Sequence, residues 1–128
     1  MTEPQSRPKK ILIVEDNLDT ADMLEASLQL QGYATIKIHH VGQAIQALIR
    51  DQPDLVMLDV MMPDVSGLEF CRYLRRDPRF DKVKIVIASA RTQPEDLKMG
   101  LEAGASDYLA KPFSQGDLKA MLDRLLAD

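Results

Sequence analysis

The chain has 128 residues, enough for one domain with a single sizeable core and too few for two. With 45% hydrophobic and 28% charged residues it has the composition of a soluble globular protein, not a fibrous or disordered one. Sixteen basic against twenty acidic side chains leave a net charge of −4, which argues against nucleic acid as a direct ligand. The single cysteine, Cys71, cannot close an intrachain disulfide, so no disulfide framework supports the fold. The opening Met1–Lys10 has no apolar core for a signal peptide, and no stretch approaches the roughly 20 apolar residues of a membrane helix. These features fit a reducing cytoplasm and no membrane insertion. Residues 1–8, with two prolines and no periodicity, read as a flexible leader to a domain spanning 9–128.

Ile11-Leu12-Ile13-Val14 reads as a first strand. Asn17 caps a helix whose apolar face runs Leu18, Ala21, Leu24 and Leu28, and Gly32 stops it. Tyr33 to Ile38 is a second strand of mixed pattern, placed near a sheet edge. A helix with Ala44, Ile45, Leu48 and Ile49 ends before Pro53. Asp54 to Leu58 is a third strand, wholly apolar over its last four residues, as expected of a strand buried on both faces of a parallel sheet. A third helix carries Leu68, Phe70, Cys71 and Leu74 and stops at Asp77-Pro78. Val83 to Ala88 is the fourth strand, and a helix from Pro94 to Ala103 is closed by Gly104. Tyr108-Leu109 is a short fifth strand. Ser114 caps a last helix with Leu118, Met121, Leu122, Leu125 and Leu126.

Five βα units with short connections place helices on both faces of one parallel sheet, because such crossovers are right-handed. The weak second strand suggests a flavodoxin-like (βα)5 doubly wound sheet in the order 2-1-3-4-5. In such a sheet the ends of strands one, three, four and five bring Glu15, Asp16, Asp59, Ser89 and Lys111 to one edge, where ligand chemistry gathers. Three neighbouring carboxylates resist full ionisation unless a cation sits among them. An all-oxygen set suits Mg²⁺, or Mn²⁺ in its place. Lys111 supplies a mobile positive charge and Ser89 a hydroxyl, so the set fits a phosphoryl group landing on a carboxylate.

At this point the chain resembles the receiver domain of two-component response regulators, from Lys9 to Asp128. The resemblance rests on Ile11–Asn17, on Asp54–Asp59 with Pro63 and Gly67, on Ser89-Ala90, and on Ala103–Phe113. It implies that Asp59 accepts a phosphoryl group from a sensor histidine kinase or histidine phosphotransfer protein. Asp16, Asp59 and the backbone carbonyl of Met61 would bind the metal directly, with Glu15 acting through bound water. Ser89, Ala90 and Lys111 would hold the phosphoryl group, and a cis bond before Pro112 would aim Lys111. Tyr108 matches the family's switch aromatic, turning inward with Ser89 and reshaping the face of the fourth helix, fifth strand and fifth helix. That face would meet a downstream protein target or a second copy of the chain, and the first helix, from Leu18, would meet the phosphodonor. Met61 and Arg91, two places beyond Asp59 and Ser89, are expected to hinder water and slow self-dephosphorylation. The implied chemistry is self-catalysed transfer and autodephosphorylation only, not metabolic catalysis.

Glu15 stands where the family more often has Asp, and Ser89 where Thr is commoner; both keep the functional group. Residue by residue, blander readings remain. His39-His40 read as loop histidines, since adjacent strand residues point apart. Cys71 reads as a half-buried packing residue, the methionines as core filler, and Arg72, Arg75, Arg76 and Arg79 as a solvated helix end. A phosphatase would want an acid where Met61 stands, and a nucleotide binder a Gly-rich first loop. The start at Met1 favours a native single-domain regulator over a receiver excised from a larger regulator or hybrid kinase. A docking module that works without phosphorylation is the further alternative, against which Asp16, Asp59 and Lys111 count.

Overall fold

A computed structural model describes residues 8–59 and 67–127. Met61 and Pro63, and all but the last residue of the expected leader, lie outside these. Five strands, β1 (Lys10–Val14), β2 (Ala34–Ile38), β3 (Leu55–Leu58), β4 (Lys84–Ser89) and β5 (Asp107–Ala110), form one parallel sheet in the order β2-β1-β3-β4-β5. They alternate with α1 (Leu18–Leu30), α2 (Ala44–Asp51), α3 (Gly67–Arg76), α4 (Pro94–Glu102) and α5 (Gln115–Leu125). Single-turn 3₁₀ segments at Val41–Gln43 and Pro78–Phe80 precede α2 and follow α3.

Strand residues alternate between two cores, because successive side chains point to opposite faces. Leu12, Val14, Val56, Leu58, Ile85 and Ile87 pack with α2 and α3. Ile11, Ile13, Leu55, Met57, Val86 and Ala88 pack with α1 and α5. Burial on both faces explains the uninterrupted apolar runs, and truncating any of these larger side chains to Ala would cost about 2–5 kcal/mol.

The helix signals act as expected. The Asn17 side chain accepts from the Thr20 N–H at 2.9 Å. Ser114 accepts from the Asp117 N–H at 3.0 Å while Asp117 accepts from the Ser114 N–H at 3.2 Å, a reciprocal capping box. Gly32 and Gly104 have φ of +95° and +109°, in the left-handed region glycine tolerates.

Several burial expectations need correction. Leu18 is 58% exposed at the first position of α1, and Ile49 is 50% exposed in the last turn of α2. Cys71 is fully buried, not half-buried, and burial foremost pushes its thiol pKa up. Met57 and Met121 fill the core, but Met23 and Met99 are exposed. Nor is Arg75 solvated. Its guanidinium donates to the carbonyls of Gly104 (2.8 Å), Phe80 (3.2 Å) and Asp81 (3.4 Å) and to the Ser106 hydroxyl (3.3 Å), tying α3 to the turn before β5.

Candidate functional site

The ladder hydrogen bonds fix where each strand stops. The Glu15 N–H donates to Ile38 O at 3.1 Å, the Asp59 N–H to Val14 O at 3.2 Å, and the Lys111 N–H to Ser89 O at 2.9 Å. The backbone of each residue is thus held in the sheet's hydrogen-bond network while its side chain is carried past the carboxyl edge. Glu15, Asp16 and Asp59 each bring a carboxylate oxygen to within 4.8 Å of the others. Lys111 Nζ lies 3.0 Å from Glu15 Oε1 and 3.7 Å from Asp59 Oδ2. The Lys111–Pro112 peptide bond is cis.

Four of the expected residues, Glu15, Asp16, Asp59 and Lys111, therefore converge, but the expected set is not uniform. Glu15 is only 3% exposed and Ser89 only 1%, whereas Asp16 faces solvent. Burial foremost raises the Glu15 carboxyl pKa; the Lys111 hydrogen bond opposes that, and the Asp59 charge adds to it. Glu15 Oε2 also accepts from the Asn17 N–H at 3.3 Å. Three carboxylates against one ammonium leave the cluster with excess negative charge when all are ionised. Its donors are hard oxygens with one exposed side. Such a set fits a small divalent cation that keeps part of its water shell, and Mg²⁺ is the match in chemistry.

Ser89 Oγ accepts from the Arg91 N–H at 3.0 Å. The Tyr108 hydroxyl donates to the Arg91 carbonyl at 2.5 Å. One residue's backbone thus links the Ser89 hydroxyl at the end of β4 to the aromatic ring on β5. Sequence reasoning grouped Arg91 with Tyr108 on one surface but gave its peptide units no part in this link, since backbone partners leave no residue-type signal. It read His39 as a loop histidine, which it is, without its contact: Nδ1 lies 3.0 Å from the Glu15 carbonyl oxygen. The expected ligand from the Met61 backbone lies outside the described residues. Beside the site, a cleft of about 460 Å³ opens between α1 and the β5–α5 connection, lined in part by Met23, Ser27, Lys111 and Phe113.

The response regulator receiver domain family matches residues 11–123. The phosphate regulon transcriptional regulatory protein PhoB of Pseudomonas aeruginosa is 36% identical over 118 residues, 92% of this chain and 52% of that protein. A chain from Chloroflexus aurantiacus assigned as a response regulator superimposes with a TM-score of 0.90 at 33% identity, covering 95% of this chain and 100% of its own. The receiver domain of the sensor histidine kinase PA1611 from Pseudomonas aeruginosa, crystallised with magnesium coordinated in its active-site cleft, gives a TM-score of 0.86 at 30% identity over 95% of this chain and 100% of its own. The chain spans about half the length of the curated relatives it matches. It belongs to the response regulator receiver family of two-component signalling. Among the described residues no helix is long and apolar enough to cross a membrane.

Proposed function

We propose that Asp59 is the phosphoacceptor and that its phosphorylation, dependent on Mg²⁺, switches the face built by α4, β5 and α5. The observation that supports this best is the joint placement of three carboxylates and Lys111 at one sheet edge. An Asp59 carboxylate oxygen attacks the phosphorus of a phosphohistidine in line. The P–O bond to Asp59 forms as the P–N bond breaks, and the imidazole leaves with the bonding pair and takes a proton. Lys111, 3.7 Å from Asp59 Oδ2 before transfer, shifts from Glu15 to a phosphoryl oxygen. Ser89 keeps its hydroxyl hydrogen to donate to another, and Ala90 beside it offers a backbone N–H. Asp16, Asp59 and Glu15 would hold the metal, which supplies charge neutralisation at the transferring oxygens.

The body that does this spans residues 9–128. The phosphodonor, a sensor histidine kinase or histidine phosphotransfer protein, docks over α1, where Leu18 is exposed and the exposed Met23 lines the cleft beside Lys111. Drawing Ser89 toward the phosphoryl group pulls on the Arg91 N–H, and Tyr108 follows through the Arg91 carbonyl. The surface around Arg91, Glu102 and Tyr108 then changes its fit to a downstream protein or to a second copy.

The test is intact-protein mass after incubation with acetyl phosphate, with and without Mg²⁺, beside Asp59→Asn. One phosphoryl adduct that needs Mg²⁺ and disappears in the variant is expected. No adduct from acetyl phosphate or from a phosphohistidine donor protein, with the fold intact, would leave a docking module that works without phosphorylation.

A further inference from the structure

Gly100 lies within α4 and is buried. Glycine is disfavoured inside a helix because it gives up more backbone freedom than alanine and packs no side chain. Its surroundings supply a reason. A Cβ at this position would stand 3.0 Å from Cδ2 and 3.2 Å from Cε2 of Tyr108, and 3.1 Å from Cδ1 of Ile87. Carbon atoms prefer separations of about 3.5–4.0 Å, so one neighbour would have to move. Ile87 is fully buried and is the cross-strand partner of Tyr108, so its Cδ1 gains room to turn aside only when the ring is gone. Tyr108 is half-buried on β5, an edge strand, and its ring can swing toward solvent. The ring over Gly100 is also the ring whose hydroxyl reaches the Arg91 carbonyl.

We infer that Gly100 is a positioning residue for the switch, its bare backbone forming the seat on which the Tyr108 ring must lie to reach the Arg91 carbonyl. This rests on the reading of Tyr108 as the switch aromatic. A methyl group at position 100 narrows the seat and lowers the population of the inward ring, without touching Asp59, Lys111 or the carboxylates. Gly100 therefore sets how much of a phosphorylation event reaches the α4–β5–α5 face.

Two measurements on the full chain test this. In the first, the three tyrosines carry fluorine and the Tyr108 signal is assigned by its loss in Tyr108→Phe. Fluorine spectra are recorded with Mg²⁺ before and after beryllofluoride, a stand-in for the phosphoryl group. The wild-type signal is expected to move further toward its inward-ring position, and that of Gly100→Ala to sit nearer an outward-ring position before and after addition and to move less. In the second, thermal melts compare Gly100→Ala in the wild type and in Tyr108→Ala. With the ring gone, alanine's helix preference should raise Tm by roughly 2–4 °C. With the ring present, that gain should vanish or reverse.

Equal gains in both backgrounds, or a Gly100→Ala signal that responds like wild type, would overturn the seat. A wild-type Tyr108 signal indifferent to bound beryllofluoride would overturn the switch reading instead, and with it this role for Gly100. A ring-dependent melt would then show the close contact alone.

Discussion

The two ends of β3 carry the same residue type in opposite circumstances. At the amino end, Asp54 is satisfied by its neighbours. Its Oδ2 accepts from the Lys10 N–H at 2.8 Å, its carbonyl from the Lys84 N–H at 3.1 Å, and its own N–H donates to Lys10 O at 2.8 Å. Lys10 is tied in further, its Nζ donating to the Asp51 carbonyl at 2.9 Å. At the carboxyl end, Asp59 has its N–H in the ladder but its side chain among two more carboxylates and a lysine. Where a carboxylate closes hydrogen bonds to the backbone it sews strands together. Where it joins like charges beside one cation it is available for a ligand. Asp54 is structural, and Asp59 has the surroundings that the proposed phosphoacceptor needs.

That contrast is broken most sharply by exchanging the damage. Asp59→Asn is expected to abolish phosphoryl uptake with little change in Tm, since like charges are relieved there. An intact fold with complete loss of adduct is the predicted pattern at position 59. Arg75→Ala, at a third kind of polar site, should cost about 2 kcal/mol, because a charged donor leaves several carbonyls at once. Urea denaturation would show this as a lower midpoint with phosphoryl uptake retained, and loss of uptake would mean that the α3–β5 tie shapes the site directly. Asp54→Ala should cost about 1–2 kcal/mol by leaving the Lys10 N–H without its acceptor, again with uptake retained. An unchanged midpoint would mean that water replaces the carboxylate without loss.

Most of the fold was legible because its signals are local. Apolar runs located the strands, Asn17 and Ser114 opened helices, and Gly32 and Gly104 closed them. The strand order needed more than periodicity, and the weak β2 pattern together with the family resemblance supplied it. The site was legible for a related reason: chemistry in such sheets collects at strand ends, and strand ends are where apolar runs stop. What the sequence hid was set by tertiary geometry. Arg75 looks like any arginine of a helix end until the turn before β5 is brought beneath it. Leu18 and Ile49 keep helical spacing yet stand exposed in the end turns of their helices, so periodicity overstates their burial. Gly100 was the one overlooked residue with a readable signal, a glycine in a helical interior four places before the glycine that ends the helix.

The smallest effect bears most directly on how the reactive end is held. Glu15→Gln keeps one oxygen, which replaces the Oε1 that accepts from Lys111 while its amide nitrogen loses the bond from the Asn17 N–H, and it removes a charge that burial penalises. Raised folded-state pKa for a carboxyl means that the folded chain holds its proton more tightly than the unfolded one, so ionised Glu15 counts against folding at neutral pH. The Lys111 hydrogen bond offsets part of that penalty, which keeps the expected gain modest. Without added metal, Tm should rise by roughly 1–3 °C. With Mg²⁺ present the order should reverse, since the wild type gains stability by binding and the variant has lost part of the charge that attracts the ion. If Gln lowers Tm in both conditions, the Glu15–Lys111 pair is a structural bond of the same kind as Asp54 to Lys10. The distinction between the two ends of the sheet would then be narrower than the geometry suggests.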